Sequence, residues 1–157
     1  IFVDLGGGST EFFIRNEQET IIRSFQLGAV RNMLQKDNKE EWQRLEEWLR
    51  SIKPKKKLIG IGGNIRSFLN AHESKEMSLS EFKKKVKKLS KLSTEEKIKK
   101  YSFSPDRADV IDHALDIFQF ISEHLGVQQI SSTKWGISDS IAIKLFHELY
   151  SSTVTIS

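Results

Sequence analysis

The residues with the clearest potential for chemistry lie in the segment from Asp4 to Glu11, which reads Asp-Leu-Gly-Gly-Gly-Ser-Thr-Glu. A short β-rich run ends at its aspartate, and glycine tolerates the sharp break that follows because positive φ angles cost it little. Successive backbone amides in such a turn form a concavity that binds anions. The spacing predicts a phosphate-binding hairpin turn in which Ser9 and Thr10 add hydroxyl donors to the amides of Gly6, Gly7 and Gly8.

An acidic residue flanks this turn on each side. Asp4 can hold a hydrated Mg²⁺, an ion that takes one or two carboxylates together with waters and substrate phosphates. Glu11 can orient a water molecule or accept its proton. A plain hairpin needs only a two-residue turn, so three glycines between two acids favour an anion site. The segment is not a Walker loop, because no Gly-Lys-Ser/Thr follows the glycines.

Other candidate residues are distributed along the chain, and each has two interpretations. Arg31 and Arg107 lie near the starts of predicted helices, where a guanidinium fork suits phosphate, but either could be an ordinary surface arginine. Arg107 could instead pair locally with a neighbouring aspartate. The block from Lys83 to Lys100 is either a solvated helix face or a polyanion-binding patch. A second glycine turn either packs a strand against a helix or lines a nucleotide-base pocket, with the residues Gly62, Gly63 and Asn64.

The elements that must position these residues begin with three predicted antiparallel strands, the first two joined by the glycine turn. Helices and single strands then alternate, which predicts an α/β domain with a mixed sheet. The helices are marked by the capping residues Asn38, Ser78, Ser93 and Ser104, and Asn38, Ser78 and Ser93 each have a glutamate three positions later. The later predicted segments are a strand at 58–61, a strand at 128–132 and a final helix at 136–150.

Composition restricts the class of protein. The chain has 157 residues, 38% hydrophobic and 29% charged, which is the balance of one soluble globular domain. No apolar run approaches the length of a membrane span, and a net charge of +4 is too mild to indicate nucleic-acid binding. The sequence contains no cysteine, so disulfides and thiolate metal sites are excluded and the cytoplasm is the expected location.

The glycine turn resembles the second phosphate motif of the actin, Hsp70 and sugar-kinase superfamily. Its Ser-Thr-Glu ending is similar to that of the exopolyphosphatase and guanosine pentaphosphate phosphohydrolase (Ppx/GppA) family. The chain departs from that family's pattern at Asn64, at Asp112-His113-Ala114 and at Ser140. Further segments resemble the family in the same order along the chain, namely Leu27–Arg31, Ile59–Gly63, Arg107–Ile111 and Trp135–Ser140.

This resemblance implies an α/β lobe of ribonuclease H-like, actin-like ATPase fold, with a mixed sheet flanked by helices. Residues 1–150 would form the second, C-terminal lobe, and residues 151–157 a flexible tail. The N-terminal lobe, which in this family carries its own phosphate turn and the catalytic base, would be absent. Because Ile1 opens the sequence inside a predicted strand, we expect a piece of a longer polypeptide. We expect this piece to be nearly inactive alone, because half of the cleft would be missing.

The resemblance also implies a Mg²⁺-dependent phosphatase that hydrolyses the terminal phosphoanhydride of polyphosphate or pppGpp. Asp4 would bind Mg²⁺, Glu11 would assist catalysis, and the amides of the glycine turn would hold the leaving chain. The expected partners are the substrate, the missing N-terminal lobe and a second copy in a homodimer, with no membrane and no nucleic acid. Two alternatives stay open, namely the ATP-binding lobe of an actin-like kinase or ATPase, and a non-catalytic polyanion-binding module.

Overall fold

A mixed sheet forms the centre of the computed structural model, which describes residues 1–15 and 19–133. Within those residues the strand order is β3-β2-β1-β4-β6-β5. The three strands β1, β4 and β6 are mutually parallel, and the outer strands pair antiparallel. The strands are β1 (Phe2–Leu5), β2 (Thr10–Arg15), β3 (Thr20–Phe25), β4 (Lys57–Ile61), β5 (Glu76–Ser78) and β6 (Gln129–Ser132). The mixed sheet and the three antiparallel strands at its start are therefore confirmed.

Strand β5 was not predicted from the sequence. It has three residues, and only the side chain of Met77 is buried. A run this short carries no readable periodicity. Its partner β6 lies more than fifty residues later, and pairing with it, Met77 opposite Ile130, is what makes this segment a strand.

Helices begin at the four predicted capping residues, although the side chain of Ser104 makes no capping hydrogen bond. Asn38, Ser78 and Ser93 each accept a hydrogen bond from the backbone three residues on. Only Ser93 forms the reciprocal box, because Glu41 and Glu81 bind other partners. The final predicted helix, 136–150, and the tail lie outside the described residues. The helices are α1 (Ala29–Met33), α2 (Lys39–Ser51), α3 (Gly63–Ala71), α4 (Leu79–Leu89), α5 (Thr94–Tyr101) and α6 (Pro105–His124).

The core lies between one face of the sheet and the helices. Helix α6 packs against each of the other five helices given above, and its side chains Ile111, Leu115 and Phe118 are fully buried. Each such side chain contributes about 1.5–3 kcal/mol through its removal from water. Across the described part of the chain, no helix has the length and apolarity that a bilayer span requires.

The sheet brings the two glycine turns to a common edge. Parallel strands present their carboxyl ends on the same side, and β1 pairs with β4 so that Asp4 lies opposite Ile61. The first glycine turn follows β1, and Gly62 follows β4. Segments more than fifty residues apart in sequence therefore meet at the end of the sheet that carries Asp4.

Candidate functional site

The two acidic residues that flank the first glycine turn are cross-strand partners. Asp4 on β1 lies directly opposite Glu11 on β2, and both are half-buried. Burial raises the pKa of the Asp4 carboxyl, and the negative charge of Glu11 raises it further. The Ser24 hydroxyl donates to Glu11 Oε1 at 3.0 Å and orients that carboxylate. The pair is a concentrated negative charge next to the turn.

The second glycine turn lies beside Asp4 of this acidic pair. Gly62 has a φ of +105°, a conformation that L side chains rarely adopt. A Cβ built at this position would lie 3.4 Å from the Leu5 carbonyl oxygen and 3.6 Å from Asp4 Oδ1. Gly62 is also the N-cap of α3, so the positive end of that helix lies close to the Asp4 carboxylate.

The carbonyl oxygens of Gly6, Gly7 and Gly8 all accept hydrogen bonds from residues at the beginning of α1. The Gly6 carbonyl accepts from the backbone N–H of Ala29 at 3.0 Å, and the Gly7 carbonyl accepts from those of Val30 and Arg31 at 2.9 Å. The Gly8 carbonyl accepts from Nε of the Arg31 side chain at 2.9 Å. The beginning of α1 therefore holds three consecutive peptide units in a single orientation.

The amides of those peptide units point the other way. A trans peptide is planar, with its N–H opposite its C=O, so fixing these carbonyls directs the N–H groups of Gly7, Gly8 and Ser9 away from α1. Within the described residues none of these three amides has a hydrogen-bond acceptor. We call the three N–H groups the amide cradle. The predicted set is wrong at one position, because the N–H of Gly6 donates to the Ser9 carbonyl at 3.0 Å.

The reason for glycine in this turn also differs from the prediction. Among the described glycines only Gly62 and Gly126 have a positive φ, so the backbone conformation of the first turn does not require glycine. A Cβ on Gly7 would lie 3.1 Å from Val30 Cγ2, a tight contact, whereas a Cβ on Gly8 would meet nothing within 4 Å. Neither conformation nor packing demands glycine at position 8, and the surface there is left open for a ligand.

Gly28 was not assigned a role from the sequence, although it lies in the Leu27–Arg31 segment. A Cβ at this position would lie 2.6 Å from the carbonyl carbon and oxygen of Gly7 and 2.6 Å from the carbonyl carbon of Gly8. Real Cβ atoms do not approach backbone so closely. The absence of a side chain at Gly28 is therefore what lets α1 reach the carbonyls of the turn.

The prediction that the Thr10 hydroxyl binds phosphate is wrong. Thr10 is fully buried, and its hydroxyl donates to the Leu27 carbonyl at 2.6 Å. It fastens the Leu27–Arg31 segment to β2 and cannot reach a ligand. The neighbouring Ser9 is only half-buried, and its hydroxyl makes no hydrogen bond within the described part of the chain.

Arg107 and the second glycine turn come together across forty-three positions of sequence. Nη1 of Arg107 donates to Asn64 Oδ1 at 2.5 Å, and a Cβ on Gly63 would lie 2.3 Å from Nη2. The guanidinium therefore covers Gly63, and Asn64 is buried. These contacts favour the packing interpretation of Gly62, Gly63 and Asn64 over a nucleotide-base pocket. They also give Arg107 a partner other than an adjacent aspartate.

The lysine block divides into paired and exposed members. Lys83 pairs with Glu123 at 2.6 Å, and the buried Lys97 pairs with Asp112. Within the described residues, six exposed lysines of the block make no ion pair. Four of them lie at helical spacing along one side of α4 and just beyond its end, namely Lys84, Lys87, Lys88 and Lys91, and the other two, Lys99 and Lys100, lie in the last turn of α5.

The acidic pair of Asp4 and Glu11 offers carboxylate oxygens to a metal ion at the edge of the glycine turn. The described residues contain no cluster of three or more histidine, cysteine, aspartate or glutamate side chains that could hold one. Asp4 and Glu11 together offer the one or two carboxylates that Mg²⁺ uses when waters and phosphate oxygens complete its shell. Burial, and then repulsion by Glu11, raises the pKa of Asp4, and a bound cation would favour the charged form that these effects oppose.

Comparison with known proteins gives the chain a family. The sequence model described as the Ppx/GppA phosphatase family matches residues 1–148. No curated protein sequence gives a significant match.

Solved structures share the fold. The Ppx/GppA phosphatase of Aquifex aeolicus, in its type II variant, superposes with a TM-score of 0.74 at 23% identity, over 91% of this chain and 55% of that one. An exopolyphosphatase from Cytophaga hutchinsonii superposes with a TM-score of 0.76 at 18% identity, over 94% and 56%. These likenesses confirm the predicted class of fold, a mixed sheet flanked by helices of the actin-like ATPase type. The chain spans about half the length of each of these structures.

Proposed function

Since this chain belongs to the Ppx/GppA phosphatase family, we propose that it forms one lobe of a phosphohydrolase that cleaves the terminal phosphoanhydride of polyphosphate or pppGpp. The observation that carries the proposal is the amide cradle. Its three N–H groups are directed away from α1, have no acceptor among the described residues, and stand beside an acidic pair. Preorganised backbone donors of this kind stabilise phosphoryl charge without reorganisation during the reaction.

Asp4 and Glu11 have different tasks in this proposal. Asp4 would hold Mg²⁺, which supplies charge neutralisation on the phosphate oxygens when it is bound. Glu11 is oriented by the Ser24 hydroxyl, and we propose that it positions a water molecule and accepts part of its proton. The Gly7, Gly8 and Ser9 amides would hold the phosphates of the leaving chain.

The remaining catalytic groups would belong to another lobe. The solved structures that this chain resembles are nearly twice as long as the part it matches. We propose that residues 1–150 are the second lobe, and that the substrate lies between this lobe and one that supplies the main catalytic base. Turnover would then require both lobes, whereas phosphate binding by the cradle would require only this one.

Calorimetry separates this function from that of an ATP-binding lobe. We expect this chain to bind inorganic tripolyphosphate in the presence of Mg²⁺. ATP should bind no more than about threefold tighter, because the Arg107 guanidinium covers Gly63, where a nucleotide base would have to lie. A threefold ratio of dissociation constants corresponds to a difference of about 0.7 kcal/mol in binding free energy. Adenosine is the control and should not bind. ATP binding more than tenfold tighter than tripolyphosphate would favour the kinase or ATPase alternative.

The polyanion-binding alternative predicts that tripolyphosphate binding depends on the exposed lysines of the block, whereas the proposed function predicts that it depends on the glycine turn. Replacement of Lys84, Lys87, Lys88 and Lys91 by alanine is expected to weaken tripolyphosphate binding less than about threefold at 0.15 M salt. The reason is that α4 packs against β5 and β6, and β5 lies three strand positions from β1, about 14 Å away. Exposed charges at that separation are largely screened, because the Debye length is about 8 Å. The measurement is the same titration, with circular dichroism as the folding control. Loss of binding in this variant, with the glycine turn intact, would support the polyanion-binding module instead.

A further inference from the structure

The three peptide units of the amide cradle are not held in the same way. The carbonyls of Gly6 and Gly7 accept from backbone amides at the start of α1. The carbonyl of Gly8 accepts from a side chain, Nε of Arg31 at 2.9 Å. The direction of the Ser9 N–H, which belongs to the same peptide unit as the Gly8 carbonyl, therefore depends on where the Arg31 guanidinium is placed.

Arg31 is itself held by a series of contacts that leads back to α2. Its Nη2 donates to Oε1 of Gln26 at 3.2 Å. The backbone N–H of Gln26 donates to Oε1 of Glu41 at 2.5 Å. Glu41 is anchored in turn by Nη2 of Arg44 at 2.8 Å, and its side chain is only 12% exposed.

This series explains why Glu41 does not complete a capping box with Asn38. Its carboxylate is turned toward Gln26 and Arg44, so a residue in the first turn of α2 fixes the strand-to-helix connection that precedes α1. The Leu27–Arg31 segment is thus fastened at both ends, by Glu41 at Gln26 and by the turn carbonyls at its helical end.

We propose that Gln26 and Glu41 are positioning residues for the third amide of the cradle. They hold Arg31 so that its Nε keeps the Gly8 carbonyl, and the Ser9 N–H consequently faces the phosphoryl group. Arg31 acts through the Gly8 carbonyl, and its positive charge is secondary. This inference rests on the proposed function, because the direction of the Ser9 amide matters only if a phosphoryl ligand occupies the cradle.

Arg31→Lys and Gln26→Ala distinguish this role from direct charge on the phosphate. Lysine keeps the charge but lacks the planar fork that binds Gly8 and Gln26 together, and Gln26→Ala removes the acceptor from an exposed position without changing any charge. Gln26→Glu is the matched rescue, since it restores an oxygen acceptor for the guanidinium.

The measurement is a ¹⁵N NMR titration of this chain with Mg²⁺ and inorganic tripolyphosphate. In the parent chain the amide resonances of Gly7, Gly8 and Ser9 should all shift. In Arg31→Lys and Gln26→Ala the Ser9 response should fall below about one third of its parent value, while Gly7 and Gly8 keep theirs. Gln26→Glu should restore the Ser9 response. A general loss of structure would move all three amides together.

A second measurement needs no ligand. The Nε–H of Arg31 should exchange with solvent at least about tenfold faster in Gln26→Ala, and somewhat faster in Glu41→Ala, than in the parent chain. If the Ser9 response and this exchange rate are unchanged in both variants, the inference is overturned and the proposed function stands. If tripolyphosphate shifts none of the three amides in the parent chain, the proposed function fails and the inference fails with it.

Discussion

Asp4→Asn is expected to abolish Mg²⁺-dependent tripolyphosphate binding and at the same time to raise the melting temperature of the chain. The loss of binding follows because the amide keeps the shape of the carboxylate but cannot offer its charge to the ion. Metal stabilisation of a transferring phosphoryl group is worth several kcal/mol, so turnover in a protein that contains both lobes should fall at least about a hundredfold.

The gain in stability follows from the raised pKa of Asp4. Burial and the facing Glu11 carboxylate favour its protonated form in the folded state. The folded chain therefore binds more protons than the unfolded chain between the ordinary pKa and the raised one, and the free energy of unfolding falls as pH increases through that window. Asparagine is neutral at every pH, so the variant should lose this part of the pH dependence.

Thermal unfolding in metal-free buffer, from pH 3 to pH 7, tests this prediction. Above the window the variant should melt higher than the parent chain, by less than the roughly 2–4 °C that 1 kcal/mol produces at this length, because solvent screens a half-exposed carboxyl. Asp109→Asn, which removes a charge from an exposed position on α6, is the matched control and should change neither property. A lower melting temperature in Asp4→Asn would mean that the carboxylate is stabilising and that the site is misassigned.

Gly28→Ala is expected to damage the fold and the cradle together. The added methyl group would lie 2.6 Å from backbone atoms of Gly7 and Gly8, and backbone cannot move aside as the end of a flexible side chain can. Overpacking of this kind costs about 1–3 kcal/mol, and the upper end applies here. The separation of α1 from the turn should also release the carbonyls of Gly6 and Gly7, so tripolyphosphate binding should be lost.

Gly8→Ala is the matched comparison for Gly28→Ala. A methyl group there would meet nothing within 4 Å, so the free energy of unfolding should change by less than about 0.5 kcal/mol. It would nevertheless project from the cradle into the open surface, and we expect tripolyphosphate binding at least tenfold weaker. Urea unfolding and calorimetry on both variants provide the test. Equal stability of Gly28→Ala and the parent chain would contradict the close approach, and unchanged binding by Gly8→Ala would contradict the cradle.

Much of the fold could be predicted because its signals are local. The β-rich runs flanking the first glycines predicted β1 and β2, the capping residue at Ser93 predicted α5, and Pro105 at the first helical position predicted the start of α6. Each depends on residues within a few positions of one another, where propensity and hydrogen bonding act directly. The proximity of Asp4 to Glu11 could also be predicted from the sequence, because a short hairpin places residues that are equally far from its turn opposite each other.

The sequence by itself determined that a glycine turn lies between two acids and that it belongs in a mixed α/β sheet. Only the tertiary structure decided which amides are available, because their direction is set by contacts from Ala29, Val30 and Arg31, about twenty residues away. The Thr10 hydroxyl is likewise bound by the distant Leu27 carbonyl, whereas the N–H of Gly6 is bound within the turn itself, by the Ser9 carbonyl. Local sequence specifies the shape of a turn, but which of its polar groups are free for a ligand depends on what the rest of the chain has already bound.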